Sequence, residues 1–190
     1  MKEIHKSVLL QEAVDSLSLK EDSIAVDMTL GFAGHSSEIL KRIKKGYLFA
    51  FDQDSEVFTY SRNRLSAIGD NFELIHANFS EAKDELLKRN VTKVDAILYD
   101  LGVSSYQLDN SERGFSYNND ATLDMRMNRD NPLTAKIVVN TYSESELTRI
   151  FKQYGESKFA RNIARNIVKK REEKEITSTL ELVDIIKEAV

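Results

Sequence analysis

Strand-like and helix-like stretches alternate along the first hundred residues of this chain. Four short apolar runs have the composition of buried strands, and they occupy residues 24–26, 47–51, 72–77 and 94–99. Because helical patterns lie between them, we expect βαβ units, a parallel sheet and right-handed crossovers. Ligands of such sheets bind beyond the carboxyl ends of the strands. Four loops therefore become candidate site loops, those after Val26, Phe51, Ala77 and Tyr99.

The pattern changes after about residue 130, where no further strand is predicted. Ser143 and Ser178 each begin a Ser-x-x-Glu capping box, which predicts a helix N-terminus. Gly155 is expected to end the first of these helices. The chain is therefore predicted to be an α/β protein with about four parallel strands and an added helical subdomain. The predicted bounds are residues 1–125 for the core and residues 126–190 for the helical subdomain.

The composition excludes several classes of site. Cysteine is absent, which rules out disulfides, thiolate zinc sites and a cysteine nucleophile. The three histidines, His5, His35 and His76, are far apart in sequence, so we expect no metal site. No apolar run is long enough for a signal peptide or a membrane span, so we expect a cytoplasmic protein. The net charge of −4 does not indicate nucleic-acid binding, which would need a local basic patch.

The loops after the first two strands favour a nucleoside-containing cofactor. Gly31 and Gly34 let a ligand approach the backbone closely at the start of a helix. Asp52 follows 21 residues after Gly31, a spacing that suits a carboxylate binding ribose hydroxyls. The plainer alternatives are a tight turn that needs positive φ and a helix cap at Asp52 or Asp54. These residues do not separate a dinucleotide from S-adenosylmethionine.

The loop after the fourth strand is a candidate catalytic loop. Asp100 ends the strand and is followed by Gly102 and by the hydroxyls of Ser104 and Ser105. A carboxylate at this position can hold an exocyclic amine and accept its proton. The alternative is a solvated loop in which Ser and Asp side chains cap helices.

Several longer motifs carry a resemblance to one bacterial family. They are Asp27 to Ser36, Asp100 to Asp109, Glu112 to Ser116, Leu123 to Met127, the Tyr154-Gly155-Glu156 run with Phe159-Ala160-Arg161 and Ile163-Ala164-Arg165, and the opening His5 to Leu10. Over essentially its whole length the chain resembles the ribosomal RNA small subunit methyltransferase H family. The resemblance implies a Rossmann-like class I methyltransferase sheet, S-adenosylmethionine as cofactor, and methylation of N4 of a cytidine in the 16S rRNA of the small ribosomal subunit.

The resemblance also implies site residues in all four candidate loops. The family's cofactor-binding positions correspond to Ala33, Gly34, His35, Asp52, Phe79, Asp100 and Gln107. We assign the substrate amine to Asp100 as well, and we expect no metal. Simpler roles remain open, since Phe79 can be a core residue and His35 can pack at a helix start.

The chain departs from the family in two residues and in length. Ala33 stands where the family usually has Gly, and Tyr106 where it usually has Pro. The family's sheet has more strands than the four predicted here, so the chain resembles only the N-terminal part. The fourth strand would then be an exposed edge, which self-association could cover. Two other functions remain as alternatives to methylation of 16S rRNA. The chain can be a truncated remnant that binds S-adenosylmethionine or RNA without turnover, or a methyltransferase that acts on another amine.

The helical subdomain offers a candidate RNA-contacting face. Basic residues recur at helical spacing at Lys158, Arg161, Arg165 and Lys169. Such a row can contact phosphates, or it can be a solvated face paired with nearby glutamates. Apolar residues of the same segment are expected in the core, namely Phe159, Ile163, Ile167 and Val168.

Overall fold

The computed structural model describes residues 7–190, so the first part of the opening motif from His5 lies outside the described residues. Four parallel strands form one sheet in the order β3-β2-β1-β4. They are β1 (Ile24–Asp27), β2 (Tyr47–Asp52), β3 (Phe72–His76) and β4 (Ala96–Leu98). The predicted parallel sheet is confirmed, and each strand lies within or next to one of the predicted apolar runs.

Helices α1 to α4 accompany this sheet. They are α1 (Leu10–Ser16), α2 (Gly34–Arg42), α3 (Phe58–Ser66) and α4 (Ala82–Lys88). A single 3₁₀ turn precedes α3 and another precedes α4. Asp54 caps the first turn by accepting from the Glu56 N–H, and Asn78 caps the second by accepting from the Ser80 N–H. The cap predicted at Asp54 is confirmed.

Both faces of the sheet are buried, as expected for an α/β arrangement. Successive residues of a strand point to opposite faces, so Ala25 and Val26 belong to different core clusters. The cluster around Ala25 includes α2 residues such as Ile39, whereas the cluster around Val26 includes Leu86 of α4. The strands are therefore fixed from both sides, and this holds the loops at their carboxyl ends.

Contacts between residues divide the chain into two compact units, Met1–Gly102 and Val103–Val190. The second unit contains α5 (Ser105–Asp109), α6 (Ala135–Thr141), α7 (Glu144–Gln153), α8 (Ala160–Glu173) and α9 (Thr179–Lys187). Its core includes Leu123, Leu147 and Ile167. The division precedes the predicted boundary between residues 125 and 126 because Leu123 packs with the helices. The role assigned to each part stays a prediction.

The second unit differs from the sequence-based expectation in several details. Helices α5 and α6 were not predicted, since both are too short for a clear periodicity. The capping box at Ser143 is confirmed, whereas Ser178 forms only half of one, because Glu181 accepts from the Thr177 N–H instead. Phe159 was expected in the core and is instead 49% exposed. Among the described residues, no helix has the length and apolarity required to cross a membrane.

Among the described residues, strand β4 pairs with β1 alone and is therefore an edge of the sheet. Ile97 on this strand and Tyr99 just after it are both exposed. The expected apolar edge is present, and the self-association that would cover it stays a prediction.

Candidate functional site

The loop after β1 is anchored to the strands on both sides. The Leu30 N–H donates to the Phe51 carbonyl at 2.8 Å, and the Met28 N–H donates to the Leu98 carbonyl at 2.9 Å. These bonds continue the pairing of β1 with β2 and β4 beyond the strand ends. The loop is thus held at a defined place on the carboxyl edge of the sheet, where ligands of parallel sheets bind.

Asp52 reaches from the end of β2 into this loop. Its Oδ2 accepts the Gly31 N–H at 2.8 Å, and its Oδ1 accepts the Asp54 N–H at 2.9 Å. Burial raises the pKa of Asp52 above its usual value, and the two amide hydrogen bonds oppose this shift. Each carboxylate oxygen has a second lone pair, so the fixed carboxylate can still accept hydrogen bonds from a diol.

Gly31 has φ 48, in the left-handed region that favours glycine. The carbonyl oxygen of Gly31 accepts a hydrogen bond from the Ser61 hydroxyl at 2.7 Å. The tight-turn interpretation of this loop is therefore correct, and it is compatible with a ligand-binding role because the turn sets the position of Asp52.

Asp27, at the end of β1, is wholly buried. Its Oδ2 accepts the Ser36 hydroxyl at 2.6 Å, and its Oδ1 accepts the Thr29 N–H at 3.0 Å. Burial raises the pKa of Asp27, and these hydrogen bonds oppose the shift. Asp27 connects the strand to the first turn of α2. It was not among the predicted site residues, although its place at the end of a strand was the available signal.

Ala33 and Gly34 form the start of α2. Ala33 is buried with φ 59, a conformation that costs a residue with a Cβ about 1–2 kcal/mol. A Cβ on Gly34 would lie 1.9 Å from the Ser7 hydroxyl, so glycine permits this close approach. The N-cap residue of α2, Ala33, forms no side-chain cap hydrogen bond. The first turn of α2 can therefore accept an anionic group of a ligand.

His35 lies between the N-terminal segment and Asp100. Its Nε2 is 3.1 Å from the Val8 carbonyl oxygen, which can only accept, so Nε2 carries a proton. Its Nδ1 is 3.6 Å from Asp100 Oδ2. The imidazole is buried, which agrees with the expectation that it packs at the helix start.

Asp100 is positioned by its backbone and remains accessible. Its N–H donates to the Thr29 hydroxyl at 2.8 Å, which ties the end of β4 to the loop after β1. Its side chain is 45% exposed. An ordered but accessible carboxylate can accept a hydrogen bond from a substrate amine.

Phe79 lies just after β3, and its ring meets Tyr99 edge-to-face with centroids 5.8 Å apart. Phe79 is 39% exposed, so the core-packing alternative for it is wrong. Both rings line a largely apolar cavity of about 360 Å³ beside α4. A planar aromatic ligand can contact rings placed in this way.

Gln107 lies in the second unit and is buried in α5. Its Oε1 accepts the Ser104 N–H at 3.0 Å, and its own N–H donates to the Ser104 hydroxyl at 3.2 Å. This reciprocal capping box fixes the start of α5. The cofactor contact implied for Gln107 stays a prediction.

Within residues 7–190, no group of three or more acidic or histidine side chains is arranged to hold a metal ion.

Four basic residues of the second unit are exposed, as their spacing indicates. We call the four side chains of Lys158, Arg161, Arg165 and Lys169 the α8 basic face. None of them forms an ion pair with another described residue. The pKa of Glu188 is lowered first by its hydrogen bond with Lys170 and further by the nearby charge of Lys169. Both interpretations of this row, an RNA-contacting face and a solvated face, stay predictions.

Comparisons with known proteins agree with these features. A family model described as the MraW methylase family matches residues 2–190. The ribosomal RNA small subunit methyltransferase H of Mycoplasmopsis agalactiae is 54% identical over 189 residues, which are 100% of this chain and 62% of that protein. The protein of the same name from Exiguobacterium sibiricum is 53% identical, covering 98% of this chain and 60% of that protein.

The chain spans about 60% of the length of the curated relatives it matches. Among solved structures, an rRNA methylase from Streptococcus thermophilus is similar with a TM-score of 0.41 at 24% identity, covering 63% of this chain and 72% of that chain. Because the family model extends over nearly the whole sequence, this chain belongs to the MraW methylase family.

Proposed function

We propose that this chain transfers the methyl group of S-adenosylmethionine to N4 of a cytidine in the 16S rRNA of the small ribosomal subunit. The observation that carries the proposal is the Gly31–Asp52 hydrogen bond, which places a fixed carboxylate beside a glycine turn at the carboxyl edge of the sheet. The family membership, and relatives named ribosomal RNA small subunit methyltransferase H, support methyl transfer to small-subunit rRNA.

The residues at this edge fit the parts of S-adenosylmethionine. Asp52 would accept the ribose hydroxyls, and the first turn of α2 at Ala33, Gly34 and His35 would receive the methionine carboxylate. The exposed ring of Phe79 would contact the adenine. The remaining cofactor positions in the proposal are Asp100 and Gln107.

The chemistry needs positioning more than covalent help. When bound, S-adenosylmethionine supplies an electrophilic methyl group on a sulfonium, which is a good leaving group. Cytosine N4 is a weak nucleophile because its lone pair is delocalised into the ring. In the proposed reaction Asp100 accepts a hydrogen bond from this amine, orients its lone pair and takes up the proton that N4 releases.

The target base must leave its stack to reach this edge of the sheet. The α8 basic face would hold the surrounding RNA through phosphate contacts, since its charges are exposed and form no ion pair with another described residue. The proposal includes a cytoplasmic location, where ribosomal subunits are found.

The proposal is tested with radiolabelled S-adenosylmethionine and small ribosomal subunits that lack this modification. We expect label in N4-methylcytidine after digestion of the RNA to nucleosides. Exchange of Asp70, an exposed acid before β3, for Asn serves as a matched control and should leave the transfer unchanged. A folded chain that binds S-adenosylmethionine but transfers no label would contradict the methyltransferase assignment and favour binding without turnover.

A further inference from the structure

Two aromatic side chains, one at each end of the connection between α7 and α8, have no role in the core of the second unit. Tyr154 is 75% exposed and Phe159 is 49% exposed, and neither belongs to the hydrophobic cluster of this unit. Single exposed aromatic residues are common on protein surfaces. Two of them on one short connection, beside a row of cations, need a further explanation.

The connection that carries these two rings is ordered by its own hydrogen bonds. The Ser157 N–H donates to the Phe151 carbonyl at 3.0 Å, and the Phe159 N–H donates to the Ser157 hydroxyl at 3.2 Å. Glu156 has φ 49, which turns the chain sharply between α7 and α8. The Tyr154 N–H also donates to the Ile150 carbonyl at 3.0 Å, so local hydrogen bonds fix the backbone at both Tyr154 and Phe159.

The chain that follows these rings is rich in cations, and only some of them have partners among the described residues. No acidic residue occurs between Ser157 and Arg171. Lys170 pairs with Glu188 at 2.9 Å, and the Arg171 guanidinium donates to the carbonyls of Val139 and Tyr142. These two cations stabilise the unit. The four of the α8 basic face are exposed and form no ion pair with another described residue. The pKa of Glu188 is lowered first by its hydrogen bond with Lys170 and further by the nearby charge of Lys169, so Arg161 and Arg165 are the members of the face on the helix that lie away from this carboxylate.

The spacing of these cations suits contacts with successive phosphates of a nucleic-acid strand. Arg161, Arg165 and Lys169 are four residues apart on α8, which is about 6 Å along the helix axis, and Lys158 lies in the turn just before the helix. Exposed rings next to such a row offer stacking surfaces for bases, and stacking is available only when the bases are not paired inside a duplex. Aromatic platforms combined with a cationic track are the recurring features of single-strand binding.

We propose that Tyr154, Phe159 and the α8 basic face form a binding surface for single-stranded RNA, with bases stacked on the two rings and phosphates along the basic row. The inference rests on the proposed function for its choice of RNA as the ligand. Its binding test does not require methyl transfer, so the two can fail separately.

The test is fluorescence anisotropy of the full 190-residue chain with a labelled single-stranded RNA of about 12 nucleotides, within the usual range of site sizes. A duplex of the same sequence and a single-stranded DNA of the same sequence serve as comparison ligands. We expect the single-stranded RNA to bind at least about tenfold more tightly than the duplex. Equal or tighter binding of the duplex would overturn the proposal, and so would preference for the DNA.

Two sets of variants separate stacking from charge. Tyr154→Leu and Phe159→Leu should each weaken single-strand binding about tenfold, whereas Tyr154→Phe and Phe159→Tyr should bind like the wild type. Arg161→Ala and Arg165→Ala should each reduce the slope of log K against log salt by about 0.7, the value for a single strand. Lys44→Ala, an exposed lysine of the first unit, should leave the slope unchanged.

The outcomes for the rings decide the proposal. Leu variants that fold, as judged by circular dichroism, and bind like the wild type would overturn the stacking role. Since both rings are exposed, these variants are expected to keep their fold. Intact single-strand binding without label transfer would contradict the proposed function alone.

Discussion

The Asp52 carboxylate holds the Gly31 amide at 2.8 Å, although the two residues are 21 positions apart in sequence. The bond joins the end of β2 to the turn after β1 and leaves Gly31 with φ 48. A second amide, that of Asp54, donates to the other oxygen at 2.9 Å. The carboxylate that is proposed to bind ribose is therefore also the residue that fixes the loop around it.

Exchange of Asp52 for Asn should affect both roles. The amide group retains one acceptor, so its NH₂ must face one of the two backbone N–H groups, and a buried donor loses its partner. We expect the free energy of unfolding to fall by about 1–3 kcal/mol, measured by urea denaturation. Asp70→Asn is the charge-matched control and should change stability by less than about 0.5 kcal/mol. An Asp52→Asn protein as stable as the wild type would show that these hydrogen bonds do not hold the loop.

Exchange of Asp100 for Asn tests the assignment of the substrate amine. The variant keeps the backbone N–H that donates to Thr29, but its amide no longer accepts a proton. We expect the rate of label transfer at saturating cofactor to fall by about 10²–10⁴, the usual contribution of a general base. Cofactor affinity, measured by equilibrium dialysis, should fall far less. A large loss of affinity with an unchanged rate would mean that Asp100 serves only the cofactor.

The buried Asp27 predicts a pH dependence of stability. Its pKa is raised by burial, so the folded protein holds this proton more tightly than the unfolded chain does. The resulting stabilisation is fully present below the unfolded value of 3.8 and is lost as the pH rises through the folded value. The stability difference between the wild type and Asp27→Asn should therefore shift toward the wild type as the pH falls from neutral. Urea denaturation of both proteins over a pH series measures this stability difference. A difference that does not change with pH would contradict the raised pKa of Asp27.

Asn140 is predicted to stabilise the second unit. Its Nδ2 donates to the Ile176 carbonyl at 2.7 Å, and its Oδ1 accepts the Ile176 N–H at 3.0 Å. These bonds tie the segment before α9 to α6. Asn140→Ala should lower the free energy of unfolding of this unit by about 1–3 kcal/mol. The exposed Asn118 is the matched control, and equal effects of Asn118→Ala and Asn140→Ala would show that the paired hydrogen bonds contribute nothing specific.

The periodicity of the sequence was sufficient to predict the sheet and the ends of its strands. The four strands follow from short apolar runs, and Asp52 and Asp100 follow from the rule that ligands bind at the carboxyl edge. Both are local or topological signals, which a single sequence contains. The Ser143 capping box is local as well, and it was predicted correctly.

Features that depend on distant contacts were beyond the sequence. The approach of His35 Nδ1 to Asp100 joins residues on two elements, and no spacing rule describes it. The exposure of Phe159 contradicts its place in an apolar helical pattern, because the chain turns at Glu156 just before α8 begins. The short helices α5 and α6 have too few residues for a periodic pattern, and their capping hydrogen bonds decide where they form.

The central claim is that the carboxyl edge of this sheet binds S-adenosylmethionine, and calorimetric titration of the 190-residue chain tests it most directly. We expect binding of one cofactor per chain, with affinity reduced at least about tenfold in Asp52→Ala, because a charged hydrogen-bond acceptor is lost. Absence of binding by a chain that is folded by circular dichroism would contradict the claim, as would undiminished binding by Asp52→Ala.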